Sequence, residues 1–163
     1  LRDDILVIGS QSILGTYAEG ALPDEATVSE EADLVFLRAT DRTPSDQVNV
    51  MIGELSDFHA THGVYAEGVE RGVAILPLGW RRRVVTWHRE DSRPASPRFL
   101  ERHDLAASKL ARGEEKDLRF VGALVDAGLL DPATVVQRAE RLEAPSAIVA
   151  AARARAVAFL PQR

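Results

Sequence analysis

The chain has 163 residues, 45% of them hydrophobic and 28% charged, which is enough for one compact domain with a core. Its 25 acidic residues outnumber 20 Lys and Arg, and the net charge of -5 argues against a general electrostatic grip on nucleic acid. The absence of cysteine excludes a disulfide framework, a thiolate zinc site and a thiol nucleophile. Because the sequence shows neither a signal-peptide pattern nor an apolar run of membrane-spanning length, we expect a cytoplasmic protein without a membrane partner.

The first predicted element is the aliphatic run from Ile5 to Ile8, which is typical of a fully buried central strand. A short helix is expected from Ser10 to Tyr17. Between them, Gly9 would let a backbone N–H approach a phosphate, and the Ser10 hydroxyl adds a donor. A helix that begins after Gly9 would also point its N-terminal amides at that phosphate.

The next predicted strand, Glu31 to Phe36, carries two carboxylates and follows a turn-rich stretch over residues 20–26. Glu31 and Asp33 are two apart, so on a strand they project from the same face and can hold one divalent ion, Mg²⁺ or Mn²⁺. A glycine bend beside such an acid pair is the arrangement of a metal-dependent phosphoryl or nucleotidyl transfer centre.

The middle of the chain predicts a helix and then further strands. The helix would present one apolar face, made of Val48, Met51, Ile52 and Leu55. Strands are expected over residues 64–69 and 73–76, and Glu67 is the acid best placed inside one of them. His59 and His62 lie three apart; they are either metal ligands that need further donors, or residues that hydrogen-bond locally around a turn.

An arginine triplet, Arg81 to Arg83, lies between Trp80 and Trp87. One interpretation is that the arginines bind phosphates while a tryptophan stacks on a base. The other is that Trp80 belongs to the core and the arginines form a solvated edge that blunts sheet pairing. The polar loop over residues 91–97 then marks the passage to a helical half.

Four helices are predicted after this loop. Their starts are indicated by capping or first-turn residues at Asp104, Glu114, Asp131 and Pro145. The first two would end at glycines, Gly113 and Gly128. The last is expected to run to Leu160 and is rich in alanine, which favours close packing against the other helices or against a partner.

These motifs, in this order, resemble the nucleotidyltransferase fold of the polymerase-beta superfamily, and in particular the DUF6036-type prokaryotic proteins, relatives of the AbiEii and MenT-like toxin nucleotidyltransferases. The likeness is carried by the segment from Val7 to Gly15, by Glu31-Ala-Asp33 and by residues 103–117. It implies an α/β (α+β) fold: a nucleotidyltransferase-like mixed sheet with flanking helices over residues 1–98, and a C-terminal helical bundle over residues 99–163, packed as one compact unit.

The resemblance also implies a set of site residues. The nucleoside triphosphate would contact Gly9, Ser10, Lys109, Lys116 and Asp117, while catalysis and the Mg²⁺ (or Mn²⁺) would belong to Glu31 and Asp33. Two lysines near a carboxylate cluster would offset the triphosphate charge and stabilise the pyrophosphate leaving group. The acceptor would be RNA, a protein side chain or a small molecule, in a toxin–antitoxin setting with an antitoxin-like partner.

Purely structural roles for the same helical residues remain as alternatives. Lys109 could pair with an acid such as Glu114 on a wet surface, and Asp117 could cap its own helix. No third carboxylate is offered by residues 73–76 or 84–86. We therefore expect a metal-dependent nucleotidyltransferase, with a catalytically degenerate nucleotide-binding or protein-interaction module of the same fold as the alternative.

Overall fold

The computed structural model describes residues 5–88, 90 and 95–161, and within them the chain is a mixed α/β structure with one five-stranded sheet. The strands, in chain order, are β1 (Ile5–Ile8), β2 (Glu31–Phe36), β3 (Tyr65–Val69), β4 (Val85–Thr86) and β5 (Arg98–Phe99). Their order across the sheet is β3-β2-β1-β5-β4. The sheet is mixed because β1 pairs antiparallel with β2 and parallel with β5, while β2 pairs parallel with β3 and β4 antiparallel with β5.

β1 is the central strand, as its continuous aliphatic sequence predicts. Leu6, Val7 and Ile8 are buried, because the strand has neighbours on both edges and helices over the sheet. Its register with β2 sets Ile8 opposite Asp33. The bend that follows β1 is therefore beside the acid-bearing part of β2.

The segment after the bend is a 3₁₀ helix over Ser10–Gly15, shorter than the helix predicted to Tyr17. Gly15 permits close packing on β5, since a Cβ there would lie 2.3 Å from the Cβ of Phe99. Helices α1 (Thr43–Ile52) and α2 (Asp57–His62) follow β2.

The predicted apolar face of α1 is wrong in part. Val48 and Ile52 are half-buried, whereas Met51 is 71% exposed. Leu55 is 90% exposed because the helix ends at Ile52, and Leu55 lies beyond it in a left-handed conformation with φ of 64°. The apolar period in the sequence therefore continues past the end of the helix at Ile52.

The two histidines lie in local hydrogen-bonded structure. The backbone N–H of His59 donates to the Ser56 hydroxyl that caps α2, and its Nδ1 accepts from the backbone N–H of Leu55 at 3.2 Å. Its Nε2 is 3.9 Å from the Glu30 carboxylate. The rings of His62 and Phe58, in the same helix, are in tilted contact with centroids 4.5 Å apart, so the local interpretation describes both histidines.

The strand predicted over residues 73–76 does not form. The N–H of Val73 donates to the carbonyl of Glu70, so the chain turns away from the line of β3. Only an isolated bridge follows in this part of the described chain, between Pro77 and Leu142. Residues 91–94 of the predicted polar loop lie outside the described residues.

The helical half contains α3 (Arg102–Arg112), α4 (Glu115–Asp126), α5 (Pro132–Ala139) and α6 (Ser146–Val157). Helix α3 lies centrally, in contact with α4, α5, α6 and the 3₁₀ helix. Gly113 ends α3 with φ of 70°, and Asp131 caps α5 by accepting from Thr134, as predicted. No helix in the described residues is both long and apolar enough to cross a membrane.

The predicted cap of α3 is wrong, because Glu101 caps this helix and Asp104 lies completely buried within its first turn. The Asp104 carboxylate is 2.8 Å from Nε of Arg83 and 3.1 Å from Nε of Arg138. It therefore ties α3 to α5 and to the arginine triplet.

The arginine triplet consequently divides between two environments. Trp80 is 7% exposed and belongs to the core, with the guanidinium of Arg81 over its ring at 4.7 Å. Arg83 points inward to Asp104, while Arg81 and Arg82 are exposed. The interpretation of Trp80 as a core residue is the one that its burial supports.

We predict that Asp104→Ala lowers the free energy of unfolding by about 3 to 5 kcal/mol, because Arg83 and Arg138 would lose the carboxylate that compensates them. The matched control is Asp126→Ala, which removes an exposed carboxylate from the last turn of α4 and should change stability by less than about 0.5 kcal/mol. Urea unfolding measures both; equal stability of the two variants would contradict this role of Asp104.

Candidate functional site

Asp33, one of the two acids of β2, meets the glycine bend at the end of β1. Gly9 has φ of 66°, in the region that favours glycine, and a Cβ on it would lie 2.2 Å from Oδ2 of Asp33. Two constraints therefore require glycine at this position: the backbone conformation and the close approach of the carboxylate. The Asp33 side chain lies directly against the bend, on the side predicted from the sequence.

The neighbouring strand adds negative charge to the same place. In the parallel register of β2 and β3, Glu31 is opposite Tyr65 and Asp33 is opposite Glu67. Burial, followed by the charges of Asp33 and Glu67, raises the pKa of Glu31 above its ordinary value. Burial and then the charge of Glu67 raise the pKa of Asp33, although nearby cations partly offset this. The acids are thus held together at an electrostatic cost.

Lys109 on α3 crosses from the helical half to the bend. It is only 6% exposed, and its Nζ donates to Oγ of Ser10 at 2.9 Å and to Oδ1 of Asp117 at 3.2 Å. The ammonium also lies over the Phe120 ring, 4.3 Å from the centroid. Burial lowers the pKa of Lys109, and the charge of Asp117 opposes that shift. The surface pairing with Glu114 considered for Lys109 is therefore not its environment.

Asp117 fixes two cations rather than lining a cavity. It is completely buried, and its carboxylate accepts from Nη2 of Arg112 at 2.6 Å and from Nε of Arg112 at 2.7 Å, in addition to Lys109. It also accepts from the backbone N–H of Glu114, which completes a capping box at the start of α4. Burial would raise the pKa of Asp117, but the hydrogen bonds from Arg112 and the charge of Lys109 hold it below its ordinary value. The expected direct contact of Asp117 with phosphates does not fit this burial.

Lys116 has a different environment. Its side chain is 66% exposed and its Nζ lies 3.2 Å from a Glu114 carboxylate oxygen, in a solvent-accessible pair. It nevertheless lines the same cavity as Glu31 and Asp33, and its charge lowers the pKa of both acids. Lys116 is thus at the mouth of the site, where Lys109 is at its base.

Two clefts adjoin at these residues. The first, of about 320 Å³, is lined by Gly9, Ser10, Glu25, Ala26, Val28, Ser29, Glu31, Asp33, Lys109, Arg112, Lys116 and Phe120. The second, of about 300 Å³, is lined by Ile8, Gly9, Asp33, Val73, Ala74, Ile75, Leu105, Ser108, Lys109 and Arg112. Four residues belong to both clefts: Gly9, Asp33, Lys109 and Arg112. The bend, one acid and two cations therefore stand where the clefts meet.

Arg112 is the site residue that the sequence analysis missed. Its side chain is 51% exposed, its charge lowers the pKa of Asp33, and it lines both clefts. It follows Lys109 by three residues, a spacing that sets two side chains on the same face of a helix. That spacing was the available signal for including Arg112 with Lys109.

No protein-family model matches this chain, and it has no significant match among curated proteins or solved structures. Within the described residues, no group of three or more His, Asp or Glu side chains is arranged to hold a metal ion. The function is therefore inferred from the shape, charge and hydrogen bonding of the two clefts.

We predict that Asp33→Asn stabilises the ligand-free protein at pH 7 by about 0.5 to 1 kcal/mol, because functional sites commonly hold charges that cost stability. The raised pKa of Asp33 sets the sign: its charge penalises the folded state above the folded-state pKa, and the penalty vanishes below the ordinary value of 3.8. Thermal unfolding at pH 7 and at pH 3 checks this; a variant less stable than wild type at pH 7 would contradict it.

Asp117→Asn should have the opposite effect and lower the free energy of unfolding by about 3 kcal/mol, since Lys109 would be left buried without its anion. Because the pKa of Asp117 is lowered, its contribution is present above pH 3.8 and is lost as pH falls through the folded-state value. The control is Lys116→Met, whose exposed pair should contribute less than about 1 kcal/mol. Chemical unfolding from pH 7 down to pH 3 measures both, and a pH-independent deficit in Asp117→Asn would contradict the assignment.

Proposed function

We propose that this protein is a metal-dependent nucleotidyltransferase, with a nucleotidyltransferase-like sheet and a C-terminal helical bundle, that transfers a nucleotidyl group from a nucleoside triphosphate to a hydroxyl acceptor. The observation that carries the proposal is the convergence of Asp33 and the Gly9 bend with Lys109 and Arg112 where the clefts meet. An acid and two cations around a tight glycine bend are the groups that a phosphate with a bound cation requires.

The first cleft supplies the contacts for the triphosphate. Lys109, Arg112 and Lys116 carry positive charge into it, and the Ser10 hydroxyl is held beside Lys109. Arg112 and Lys109 are held in place by Asp117 in the free protein, so binding need not order them. Charge-assisted hydrogen bonds from such preorganised cations stabilise the negative charge that develops on the leaving pyrophosphate.

Glu31 and Asp33 are the residues that would hold Mg²⁺ or Mn²⁺. Their carboxylate oxygens are the ligands that these cations prefer. Burial, followed by the charges of neighbouring acids, raises the pKa of both, and a bound cation would offset that cost of ionisation. When bound, the ion would neutralise charge on the transferring phosphoryl group. Two protein carboxylates suffice for Mg²⁺, since it commonly keeps several waters and takes further ligands from phosphates.

The nucleotidyl transfer needs no reagent besides the nucleoside triphosphate and the acceptor. The acceptor hydroxyl oxygen forms a bond to the α-phosphorus, the bond from that phosphorus to the bridging oxygen breaks, and pyrophosphate leaves. The hydroxyl proton is released to solvent. RNA, a protein side chain and a small molecule are the acceptor classes considered, with a toxin–antitoxin setting implied by the resemblance alone.

A second candidate function is nucleotide binding without turnover. It is favoured by the lack, within the described residues, of a third acidic side chain grouped with Glu31 and Asp33 in ligand geometry. The two functions differ in one measurable result: the enzyme releases pyrophosphate from a bound nucleoside triphosphate in the presence of acceptor, and the binding module does not.

Calorimetric titration of the protein with each nucleoside triphosphate, with and without Mg²⁺, tests the proposal. We predict Mg²⁺-dependent binding that is weakened at least tenfold in Lys109→Met, because a buried charged hydrogen-bond donor is worth about 1.5 to 3 kcal/mol. Asp33→Asn should abolish the Mg²⁺ dependence.

The matched control is Arg119→Met, which removes an exposed cation of α4 that lines neither cleft and should leave the affinity within twofold of wild type. The absence of Mg²⁺-dependent binding, or equal affinity in Lys109→Met and wild type, would contradict the proposed function. Binding without pyrophosphate release on addition of acceptors would support the second candidate.

A further inference from the structure

The second cleft differs from the first in the residues that line it alone. Ile8, Ile75 and Leu105 give it an aliphatic wall, and Ala74 and Val73 extend that wall to the surface. Val73 is 61% exposed although it is apolar. In the first cleft, by contrast, the residues not shared include the charged Glu25, Glu31 and Lys116. The two cavities are therefore suited to different chemical groups.

We propose that the second cleft is the acceptor site and that it takes a small hydroxyl-bearing molecule with an apolar body. The inference rests on the proposed function, because it assigns the nucleoside triphosphate to the charged first cleft. The shared residues Asp33, Lys109 and Arg112 put any molecule in the second cleft beside the transferring phosphate.

The lining of the second cleft disfavours RNA as the acceptor. An RNA end requires cations along its phosphates and commonly aromatic rings for its bases. Among the residues that line this cleft, the only cations are the shared Lys109 and Arg112, and none is aromatic. The net charge of -5 also opposes binding of a polyanion.

The size and polar content of the cleft fit a small alcohol. Its volume of about 300 Å³ is at the lower end of the range for small-molecule sites. Within the described residues, the Ser108 hydroxyl has no protein hydrogen-bond partner, and it is one residue from Lys109. A serine hydroxyl both donates and accepts, so Ser108 can orient an acceptor hydroxyl near the shared wall while aliphatic side chains cover the rest of the molecule.

The acceptor step is the same balanced displacement. The alcohol oxygen bonds to the α-phosphorus, pyrophosphate leaves with the bridging oxygen, and the alcohol proton is released to solvent. Since residues 73–75 do not pair as a strand, the side chains of Val73, Ala74 and Ile75 are available to line the cleft. The stretch whose predicted strand does not form is thus the one that distinguishes this cleft.

Three exposed valines allow a matched test. Val73 is at the second cleft, Val28 lines the first at 79% exposure, and Val50 on α1 lines neither at 80% exposure. The probes are 3-phenylpropan-1-ol, followed by ligand-observed NMR, and a non-hydrolysable nucleoside triphosphate with Mg²⁺, followed by calorimetry. A short oligoribonucleotide with a free 3′ hydroxyl is the comparison acceptor.

We expect wild type to bind the alcohol and the nucleotide together. Val73→Trp should weaken alcohol binding at least tenfold and leave nucleotide affinity within twofold, Val28→Trp should do the reverse, and Val50→Trp should change neither. No alcohol binding to wild type, a tenfold loss of nucleotide affinity in Val73→Trp, or displacement of the alcohol by the oligoribonucleotide would overturn the assignment. Failure of the proposed function is distinct, because it appears as the loss of Mg²⁺-dependent nucleotide binding in wild type.

Discussion

The arrangement at the clefts depends on one buried carboxylate. Asp117 accepts hydrogen bonds from Lys109 and Arg112 and so keeps two positive charges near the glycine bend. One of these cations, Lys109, is almost completely buried. A buried ammonium without such a partner would shed its proton or move to water. Because Asp117 also completes the capping box of α4, the start of that helix and the position of the cations are set by the same side chain. Local helix chemistry thereby controls the charge of a site formed from distant parts of the chain.

The opposite wall has charges that are less well compensated. Glu31 and Asp33 project from one face of β2, and Glu67 is opposite Asp33 on β3, so burial and mutual repulsion both act against their ionised forms. Asp104, only a few residues from Lys109 along α3, is also buried, yet two arginines accompany it. Burial raises the pKa of Asp104 as well, but the next largest influence on it is Arg83, whereas for Glu31 and Asp33 it is a neighbouring acid. It is the imbalance at β2 and β3 that favours a ligand-binding role.

Much of this arrangement follows from sequence patterns with short-range causes. The aliphatic run of β1, the acid alternation on β2, the caps at Glu114 and Asp131 and the helix end at Gly113 are properties of neighbouring residues, and each of them forms in the described chain. The expected cap at Asp104 does not form, because Glu101 takes its place. Whether Ile75 and its neighbours pair as a strand depends instead on which backbone groups come within reach, and Met51 is exposed because the fold leaves that side of α1 uncovered. The hydrogen bond from Lys109 to Ser10 joins residues 99 positions apart, and no local sequence pattern can predict it. The clefts likewise exist only once the helical half lies against the sheet.

We propose that the acids, the bend and the cations form one site for a nucleoside triphosphate and its metal ion. The most direct measurement is a crystal structure of the protein grown with a non-hydrolysable nucleoside triphosphate and Mn²⁺, with the anomalous signal used to locate the metal. We expect the ion at the carboxylates of Glu31 and Asp33, and the phosphates within hydrogen-bond distance of Lys109 and Arg112. Phosphates or metal bound away from these residues would contradict it.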